Sequence, residues 1–530
     1  MGKRAIVPLG GLVVPLTALA CWQWLKAAGV LDYEYLPSPG DVLAALVELA
    51  RSGELARDLA HTLGVTVVAA ATAMTLGAML GFAIGLIPSV RRYAMASVDF
   101  LRTIPAVALL PVAVLTFGPI PSTEVLLAVY AALWPTVLHT AAGVAAVHPR
   151  QYDVVRMLHF GPLTTLRKVV IPAVVPAWLV GARMAAVVAM LVAIVAEMIM
   201  YPNGLGGGLI ESLQALAPAR MWAYALVCGI VGVLLNAGLR QAVRLALPGG
   251  PGHAGGDQPI PAPAVTALRG LLPLGILLIV WQLMSADTSL SFPPPDEWIQ
   301  ALDRLRSEGL LSAAIVHTLG TYAFGLVLAV VIGATAGMAI GASRLIDRFL
   351  TPTIDFIAAV PGAALVPVAV LLLGPSQLSG VAVVALVVSW PVLLNTAAAM
   401  RSIPLVRLEM SRTIGLSPVQ RCTKVILPSL SGGVMLGVSV ASSLAVIITL
   451  LVDILGAGEG IGRLLVESQQ HFDAAAAWGL LLIVGGFGYL MNLLISRLER
   501  RMTAPGEPQS RMSPPVGPRI ATPAGATKTA

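Results

Sequence analysis

Long apolar runs alternate with short polar segments along almost the whole chain. A helix that crosses a membrane needs about 20 consecutive, predominantly apolar residues, and the sequence offers a series of runs of roughly that length. In the first half they lie near residues 5–25, 62–87, 100–118, 123–146, 171–199 and 221–246. In the second half they lie near 268–284, 318–341, 356–374, 377–400, 427–452 and 476–496. The pattern predicts an all-α polytopic membrane protein with about 12 transmembrane helices.

The second half of the chain repeats the first at a fixed offset of 256 residues. His61-Thr62-Leu63-Gly64 returns as His317-Thr318-Leu319-Gly320, Trp134-Pro135 as Trp390-Pro391, Pro172 as Pro428 and Asn236 as Asn492. An even number of spans in each copy gives both copies the same orientation, so we expect two parallel six-helix repeats related by an axis along the membrane normal. The predicted domains are a first repeat over 1–247, a cytoplasmic Pro/Gly-rich linker over 248–264, a second repeat over 265–503 and a disordered tail over 504–530.

Composition and charge narrow the class of protein. Hydrophobic residues make up 57% of the chain, charged residues 11%, and the mean hydropathy is +0.87, whereas a soluble domain carries about 25% charged residues. The net charge of +7 does not indicate nucleic-acid binding, because the basic residues are distributed over loops. Cys21, Cys228 and Cys422 are far apart and show neither a disulfide framework nor metal-ligand spacing. We therefore predict no metal site.

Basic residues cluster after the second, fourth and sixth apolar run of each copy. They are Arg91, Arg92, Arg150, Arg156, Arg167, Lys168, Arg240 and Arg244 in the first copy, and Arg344, Arg348, Arg401, Arg407, Arg412, Arg421, Lys424, Arg497, Arg500 and Arg501 in the second. Loops rich in Lys and Arg lie on the cytoplasmic side, so both termini and the linker are expected to be cytoplasmic. The start of the chain is also typical of a signal peptide, but Trp22-Gln23 has a counterpart in Trp281-Gln282, which favours a retained first span.

A basic, amphipathic stretch follows the fourth run of each copy. In the first copy it leads from Asp153 through His159 to Val169-Val170-Ile171-Pro172, and in the second from Glu409 through Gly415 to Val425-Ile426-Leu427-Pro428. Here the chain resembles the permeases of ATP-binding-cassette (ABC) importers. Their cytoplasmic EAA loop has an acidic residue, small residues, a glycine six positions on, and a hydrophobic-Pro close thirteen beyond that.

Further motifs resemble the sulfonate, taurine and nitrate branch of this family. They are Pro37-Ser38-Pro39, Gly118, Trp134-Pro135, Ala196-Glu197-Met198 and Gly204-Leu205-Gly206. The resemblance covers both copies along almost their whole length, and it implies a type I ABC importer permease fold with two permease domains fused in one chain. It also implies the bacterial inner membrane as location. The implied partners are two copies of an ABC ATPase subunit, an extracytoplasmic solute-binding protein and membrane lipid, without nucleic acid or cofactor.

The resemblance implies that each loop forms a short coupling helix that docks into a groove on an ATPase subunit. The residues carried over are Asp153, Val155, Arg156 and His159 in the first loop and Glu409, Ser411, Arg412 and Gly415 in the second. An amphipathic helix can seat its apolar face in a partner groove. His159 replaces the glycine of the family, and Val154 and Val155 replace small alanines, so we expect the copies to bind their ATPases unequally. The alternative is an ordinary basic cytoplasmic loop.

Arg183 is the main candidate for contact with the solute. It lies eleven residues past Pro172, which places it about 16 Å into the fifth span. Its counterpart is Ser439, so a single cation would face the seam between the copies and bind an anion there. The alternative is a structural or gating role, in which Arg183 pairs with an acid or caps backbone carbonyls.

Four further positions are assigned to the same pathway: Ser439, Arg102, His139 and Asn395. Arg102 precedes the prolines of the third run, and its counterpart is Ala358. His139 corresponds to Asn395 in the second copy. A single histidine on an apolar helix is also typical of a packed, hydrogen-bonded residue, and this alternative stays open for His139.

Matching prolines and acids are predicted to shape the pathway. Broken helices at equivalent places in two repeats indicate a transport route, and the third runs contain Pro105 and Pro111 in one copy and Pro361 and Pro367 in the other. Glu197 and Asp453 lie near the outer ends of the fifth spans, just before glycine-rich turns at 203–208 and 456–462. We expect these acids to accept hydrogen bonds from the backbone of those turns, with substrate binding as the alternative.

The predicted function is that of a transmembrane permease for a small, anionic solute of the sulfonate, taurine, nitrate or bicarbonate type. The chain contains no Gly-rich phosphate loop before its single Gly-Lys pair, Gly2-Lys3, so ATP hydrolysis is expected in a partner and the chain is not an enzyme. A thiamine-precursor pyrimidine is the alternative solute. An ion-gradient-driven secondary transporter with two parallel repeats, or a membrane scaffold or channel, is the alternative class.

Overall fold

The computed structural model describes residues 9–200, 203–246, 271–285, 292–455 and 459–503. Within these ranges every regular element is a helix. The predicted linker over 248–264 and tail over 504–530 lie outside the described residues, as do Lys3 and Arg4. The prediction of an all-α protein with membrane-spanning helices is confirmed.

Ten helices form the first copy. They are α1 (Leu9–Ala27), α2 (Pro39–Ser52), α3 (Glu54–Leu86), α4 (Pro88–Leu101), α5 (Ala106–Phe117), α6 (Pro121–Ala145), α7 (Pro149–Met157), α8 (Pro162–Met200), α9 (Gly204–Gln214) and α10 (Pro218–Ala246). The second copy contains α11 (Leu272–Met284), α12 (Pro295–Ser307), α13 (Leu310–Ala342), α14 (Arg344–Ala359), α15 (Gly362–Leu373), α16 (Gln377–Ser402), α17 (Leu405–Thr413), α18 (Pro418–Ile454), α19 (Ile461–Gln470) and α20 (Ala474–Thr503). Each helix of the first copy thus has an equivalent ten helices later, in the same order.

Each predicted span overlaps one or two of these helices. Eight of the described helices are long and apolar enough to cross a membrane: α3, α6, α8, α10, α13, α16, α18 and α20. The helices α11 and α15 are apolar but shorter. A π-helical turn at Leu166–Val170 in α8 and its equivalent at Cys422–Ile426 in α18 precede Pro172 and Pro428.

The third span differs from the prediction. The sequence suggested one helix over 100–118 interrupted at Pro105 and Pro111, but the chain instead forms α4 and α5, which meet at an angle of 87°. The break covers the residues from Arg102 to Pro105, because proline disfavours helical geometry in the residue before it. Pro111 lies inside α5, and Pro367 lies inside α15 in the same way, after Pro361 at the N-cap. At 12 residues α5 is about 18 Å long, shorter than the hydrocarbon core of about 30 Å.

Six helices were not predicted, because no long apolar run covers them. They are α2, α4 and α9 in the first copy and α12, α14 and α19 in the second. The Pro37-Ser38-Pro39 motif starts α2: the Ser38 hydroxyl accepts a hydrogen bond from the Asp41 N–H, and the Ser38 N–H donates to the Asp41 carboxylate. These hydrogen bonds lower the pKa of the Asp41 carboxyl.

Hydrogen bonds to two glutamines support the predicted equivalence of the first spans. Gln23 Oε1 in α1 accepts the N–H of Gly40 at 3.0 Å, and Gln282 Oε1 in α11 accepts the N–H of Asp296 at 3.1 Å. Gly40 and Asp296 are related by the repeat offset of 256 residues, whereas the glutamines are 259 apart. The two first helices therefore occupy the same place in each copy despite a small insertion between them.

A row of glycines brings two helix backbones into contact in each copy. Every fourth residue of one face of α3 is glycine, at Gly77, Gly81 and Gly85, and each faces α6. The equivalent residues Gly333, Gly337 and Gly341 of α13 face α16. A Cβ atom at Gly81 would lie 2.6 Å from Thr140 Cβ and 2.8 Å from the Val137 carbonyl oxygen. Small residues at this spacing are the usual means by which helices pack closely in a membrane.

The two copies meet at their broken third spans, which are α4 and α5 in the first copy and α14 and α15 in the second. A Cβ atom at Gly229 of α10 would lie 2.8 Å from Val360 of the other copy, and one at Gly485 of α20 would lie 2.9 Å from Ile104. These contacts are related by the repeat offset. The largest apolar cluster includes α5, α8 and α10 from the first copy and α15, α18 and α20 from the second. We call this shared interface the seam.

The glycine row predicts that a methyl group added at one of its positions lowers the stability of the protein. Gly81→Ala should destabilise the protein by about 1–3 kcal/mol, because the new Cβ meets a backbone oxygen that cannot move aside. The thermal unfolding of purified protein in detergent would measure this change. Gly64→Ala is the matched control in the same helix, since a Cβ there has no neighbour within 4 Å. Equal midpoints for the two variants would contradict the prediction.

Candidate functional site

Candidate residues fall into three regions of the bundle. Arg183 and Ser439 lie on helices that contribute to the apolar cluster at the seam, α7 and α17 lie at one end of the bundle, and Glu197 and Asp453 lie at the other end beside α9 and α19. The ends are opposite because α6 starts beside Glu197 and leads to α7.

Arg183 is half-buried in the middle of α8. Within the described part of the chain its guanidinium has no hydrogen bond or ion pair. Met190 and Ile194, seven and eleven residues further along the same helical face, belong to the apolar cluster of the seam. In α18, Ser439 stands in the same relation to Val446 and Leu450 of that cluster. Arg183 thus presents a positive charge near the seam without an equivalent charge opposite.

Arg102 is engaged by a neighbour on its own helix. It caps α4 at the 87° bend, and its Nε lies 2.9 Å from Asp99 Oδ1. Both side chains are about one-third exposed, at 35% and 37%. The ion pair reduces the charge that Arg102 can offer to a solute. Because Arg102 lies at the C-terminal end of α4, the pair is suited to stabilise the bend.

His139 and Asn395 lie between helices of the same copy. A Cβ at Gly181 of α8 would lie 2.8 Å from His139 Cβ, and a Cβ at the equivalent Gly437 of α18 would lie 3.3 Å from Asn395 Cβ. Asn395 Nδ2 also donates to the Pro391 carbonyl at 2.8 Å. Packing positions of this kind favour the structural interpretation of both residues.

Both basic loops contain a short helix where the sequence suggested one. Val155 in α7 and its equivalent Ser411 in α17 are buried against the bundle. Asp153 and Arg156 form an exposed ion pair one turn apart, at 3.5 Å. Arg412 lies in the last turn of α17, and the Glu409 carbonyl accepts the Thr413 hydroxyl. The charged residues Asp153, Arg156, Glu409 and Arg412 are therefore exposed, whereas Val155 and Ser411 are buried.

Exposed apolar side chains line the other face of each loop. They are Val154, Leu158 and Leu163 in the first copy and the equivalent Met410, Ile414 and Val419 in the second, each more than half exposed. A groove of about 560 Å³ borders α7, and one of about 580 Å³ borders α17. Lys168 and Pro172 line the first groove, and Lys424 and Pro428 line the second. Two matching surfaces, apolar with a basic border, therefore stand at the same end of the bundle.

His159 adopts the backbone conformation of the glycine it replaces. Its φ is +50°, and that of Gly415 is +75°. In both copies this residue ends the short helix, and the following N–H, of Phe160 or Leu416, bonds back to the carbonyl of the buried anchor. A left-handed φ is strained for any residue with a Cβ, so the first loop keeps the turn at an energetic cost.

The acids at the opposite end bind backbone and hydroxyl groups. Glu197 Oε2 accepts the N–H of Gly206 at 2.9 Å, as the sequence suggested for the glycine-rich segment, although this segment begins α9 and is not a simple turn. Asp453 Oδ2 instead accepts the Thr318 hydroxyl at 2.7 Å, and Thr318 Oγ1 accepts the N–H of Ile461 at 2.9 Å. Residues 456–458 of the second segment lie outside the described residues.

The first copy has a larger polar network at this end, which sequence reasoning did not find. Thr62 Oγ1 accepts the N–H of Leu205 at 3.0 Å, and Asp58 Oδ2 accepts the Tyr224 hydroxyl at 2.7 Å. His61 Nε2 lies 3.1 Å from Glu124 Oε2. The residues equivalent to Asp58, Tyr224 and Glu124 are Ala314, Leu480 and Gly380. Comparing the acids of the two copies would have shown this difference.

The chain matches a known protein family twice. The family described as "Binding-protein-dependent transport system inner membrane component" matches residues 73–248 and 325–504. The chain belongs to this family. It is therefore a permease of the ABC importer class and a multi-pass membrane protein, and the two matches account for its repeats.

Relatives of the permease are about half its length. The SsuC aliphatic sulfonates transport permease protein of Bacillus subtilis is 30% identical over 250 residues, which cover 46% of this chain and 89% of the relative. The bicarbonate transport system permease protein CmpB of Synechocystis is 28% identical over 246 residues, covering 44% and 87%. The taurine transport system permease protein TauC of Escherichia coli is 28% identical over 253 residues, covering 47% and 91%. These relatives are transport proteins and not enzymes, and each aligns with less than half of this permease.

The strained turn of the first loop predicts a stabilising substitution. His159→Gly should stabilise α7 by about 1 kcal/mol, because glycine adopts a positive φ without steric cost. Slower hydrogen exchange of the α7 amides would reveal the gain. Gly415→His should have the opposite effect on α17, and Gly161→Ala is a neutral control because its φ is −67°. Unchanged exchange in both helices would show that the left-handed turn is not strained.

Proposed function

We propose that the permease forms the translocation pathway of an ATP-driven importer for a small anionic solute. Its relatives include sulfonate, bicarbonate and taurine permeases. Their shared solute chemistry is a small molecule with an anionic group. The observation that carries the assignment to an anion is Arg183, a cation near the seam that has no partner within the described residues. In a site shielded from water, such a charge forms strong hydrogen bonds with an anion.

Energy for transport is proposed to come from two ATPase subunits, one bound at each loop. The exposed apolar residues of α7 and α17, with lysines beside them, are suited to seat in a groove on a partner. The positive-inside distribution of Arg and Lys supports a cytoplasmic position for this end and for both termini. The end with α9 and α19 then faces an extracytoplasmic solute-binding protein. The strained turn at His159 supports unequal binding of the two ATPases.

The docking proposal is tested by placing a charge on each apolar surface. Leu158→Glu and Ile414→Glu together should reduce co-purification of co-expressed ATPase subunits at least tenfold, since a buried unpaired carboxylate opposes docking. Leu43→Glu is the matched control, because Leu43 is 60% exposed on α2 near the opposite end. Retention of the ATPases by the double variant would exclude α7 and α17 as their docking sites.

Arg183 is tested through transport. Arg183→Ala should abolish solute uptake in reconstituted vesicles while the ATPase subunits stay bound, because only the charge near the seam is removed. Arg183→Lys, which keeps the charge, should restore part of the uptake. Met184→Ala is the matched control in the same helix and should transport normally, because the Met184 side chain is 48% exposed on another face. Normal uptake by Arg183→Ala would remove this residue from the pathway.

A further inference from the structure

Three potential metal ligands meet at the α9 end of the first copy. One ligand atom each of His61 in α3, Glu124 in α6 and Glu197 in α8 can be chosen so that all lie within 4.8 Å of one another. His61 Nε2 lies 3.1 Å from Glu124 Oε2. Ligands about 2.0–2.2 Å from a zinc ion are separated by about 3.3–3.6 Å in a tetrahedral site. The first pair is close to this separation, and with all three atoms within 4.8 Å a small shift of the side chains would close the cluster around one ion.

Two buried oxygen atoms of this cluster have no hydrogen-bond donor. Glu124 and Glu197 are each only 1% exposed, and Oε1 of each carboxylate is without a partner among the described residues. A buried polar atom without a partner is costly, and two neighbouring carboxylates repel each other unless a proton or a metal ion lies between them. His61, by contrast, has a side chain that is 22% exposed, which leaves a route from solvent to the cluster.

We propose that His61, Glu124 and Glu197 bind a divalent transition-metal ion, with zinc as the best-matched probe. One imidazole and two carboxylates form a ligand set that zinc accepts, and three protein ligands leave a coordination position for water. The Gly206 N–H donates a hydrogen bond to Glu197 Oε2 and so fixes the orientation of this carboxylate. The ion would link α3, α6 and α8 at this end, and its binding does not depend on which solute is transported.

The second copy provides a natural comparison for this site. His317 and Asp453 occupy the places of His61 and Glu197, with His317 Nδ1 3.6 Å from Asp453 Oδ1. Gly380 stands where the first copy has Glu124, so the third ligand is missing. The proposal therefore assigns one ion to each chain and not two.

Zinc binding to the full-length chain tests the proposal. The protein, purified without a histidine tag and stripped with chelator, is titrated with ZnCl2 at neutral pH, and bound zinc is counted after dialysis by mass spectrometry. We expect one zinc ion per chain. Glu124→Gln, which keeps the shape of the side chain, and Glu124→Gly, which copies the second repeat, should each weaken binding at least tenfold. His317→Ala should bind as the unaltered protein does.

Two measurements separate loss of the site from loss of the fold. Size-exclusion chromatography and circular dichroism show whether each variant is folded, and X-ray absorption of the zinc-loaded parent protein should show nitrogen and oxygen ligands without sulfur. This second readout needs no variant. Absence of zinc in the parent protein, a sulfur ligand in its spectrum, or unchanged binding by folded Glu124→Gln would each overturn the proposal.

Discussion

Close approach of helix backbones is the constraint on which the rest of this permease depends. Inside a bilayer, burying an apolar side chain against another helix gains little over burying it in lipid, so helices associate through tight packing. The glycine row of α3, facing α6 at Gly77, Gly81 and Gly85, provides that packing, and α13 and α16 repeat it. Fixing α3 against α6 also sets His61 opposite Glu124. The polar groups at the end of the bundle are therefore positioned by packing deeper in the same helices.

The two copies share the residues that pack the helices together, and they differ at several charged positions. The glycine rows, the broken third helices, and the hydroxyls of Thr62 and Thr318 that receive a backbone N–H occur in both. Arg183 and Glu124 occur in the first copy only. The equivalent residues of the second copy are Ser439 and Gly380. A residue needed for packing must be kept in each copy, whereas a residue that serves one solute or one ion is needed once.

Hydropathy predicted the spans because every one of them contains a long apolar run. It could not predict α2 or α9, whose residues are too polar and whose position depends on packing against the ends of other helices. Nor could it decide between Pro105 and Pro111 as the point of the break, since a proline inside a helix is tolerated where neighbouring helices satisfy the freed backbone groups. The meeting of His61, Glu124 and Glu197 was hidden because each lies in a separate span, and only the tertiary fold brings them together.

A single arginine near the seam has a consequence for how this chain could have arisen. Were the two halves separate copies of one gene product, any arginine at this depth would have a twin across the axis, and like charges in a low-dielectric interior repel strongly. Covalent joining lets one half lose the charge while its sister keeps it, as Ser439 opposite Arg183 illustrates. A fused chain can thus carry one positive charge at this depth, whereas a homodimer with the same arginine would carry two.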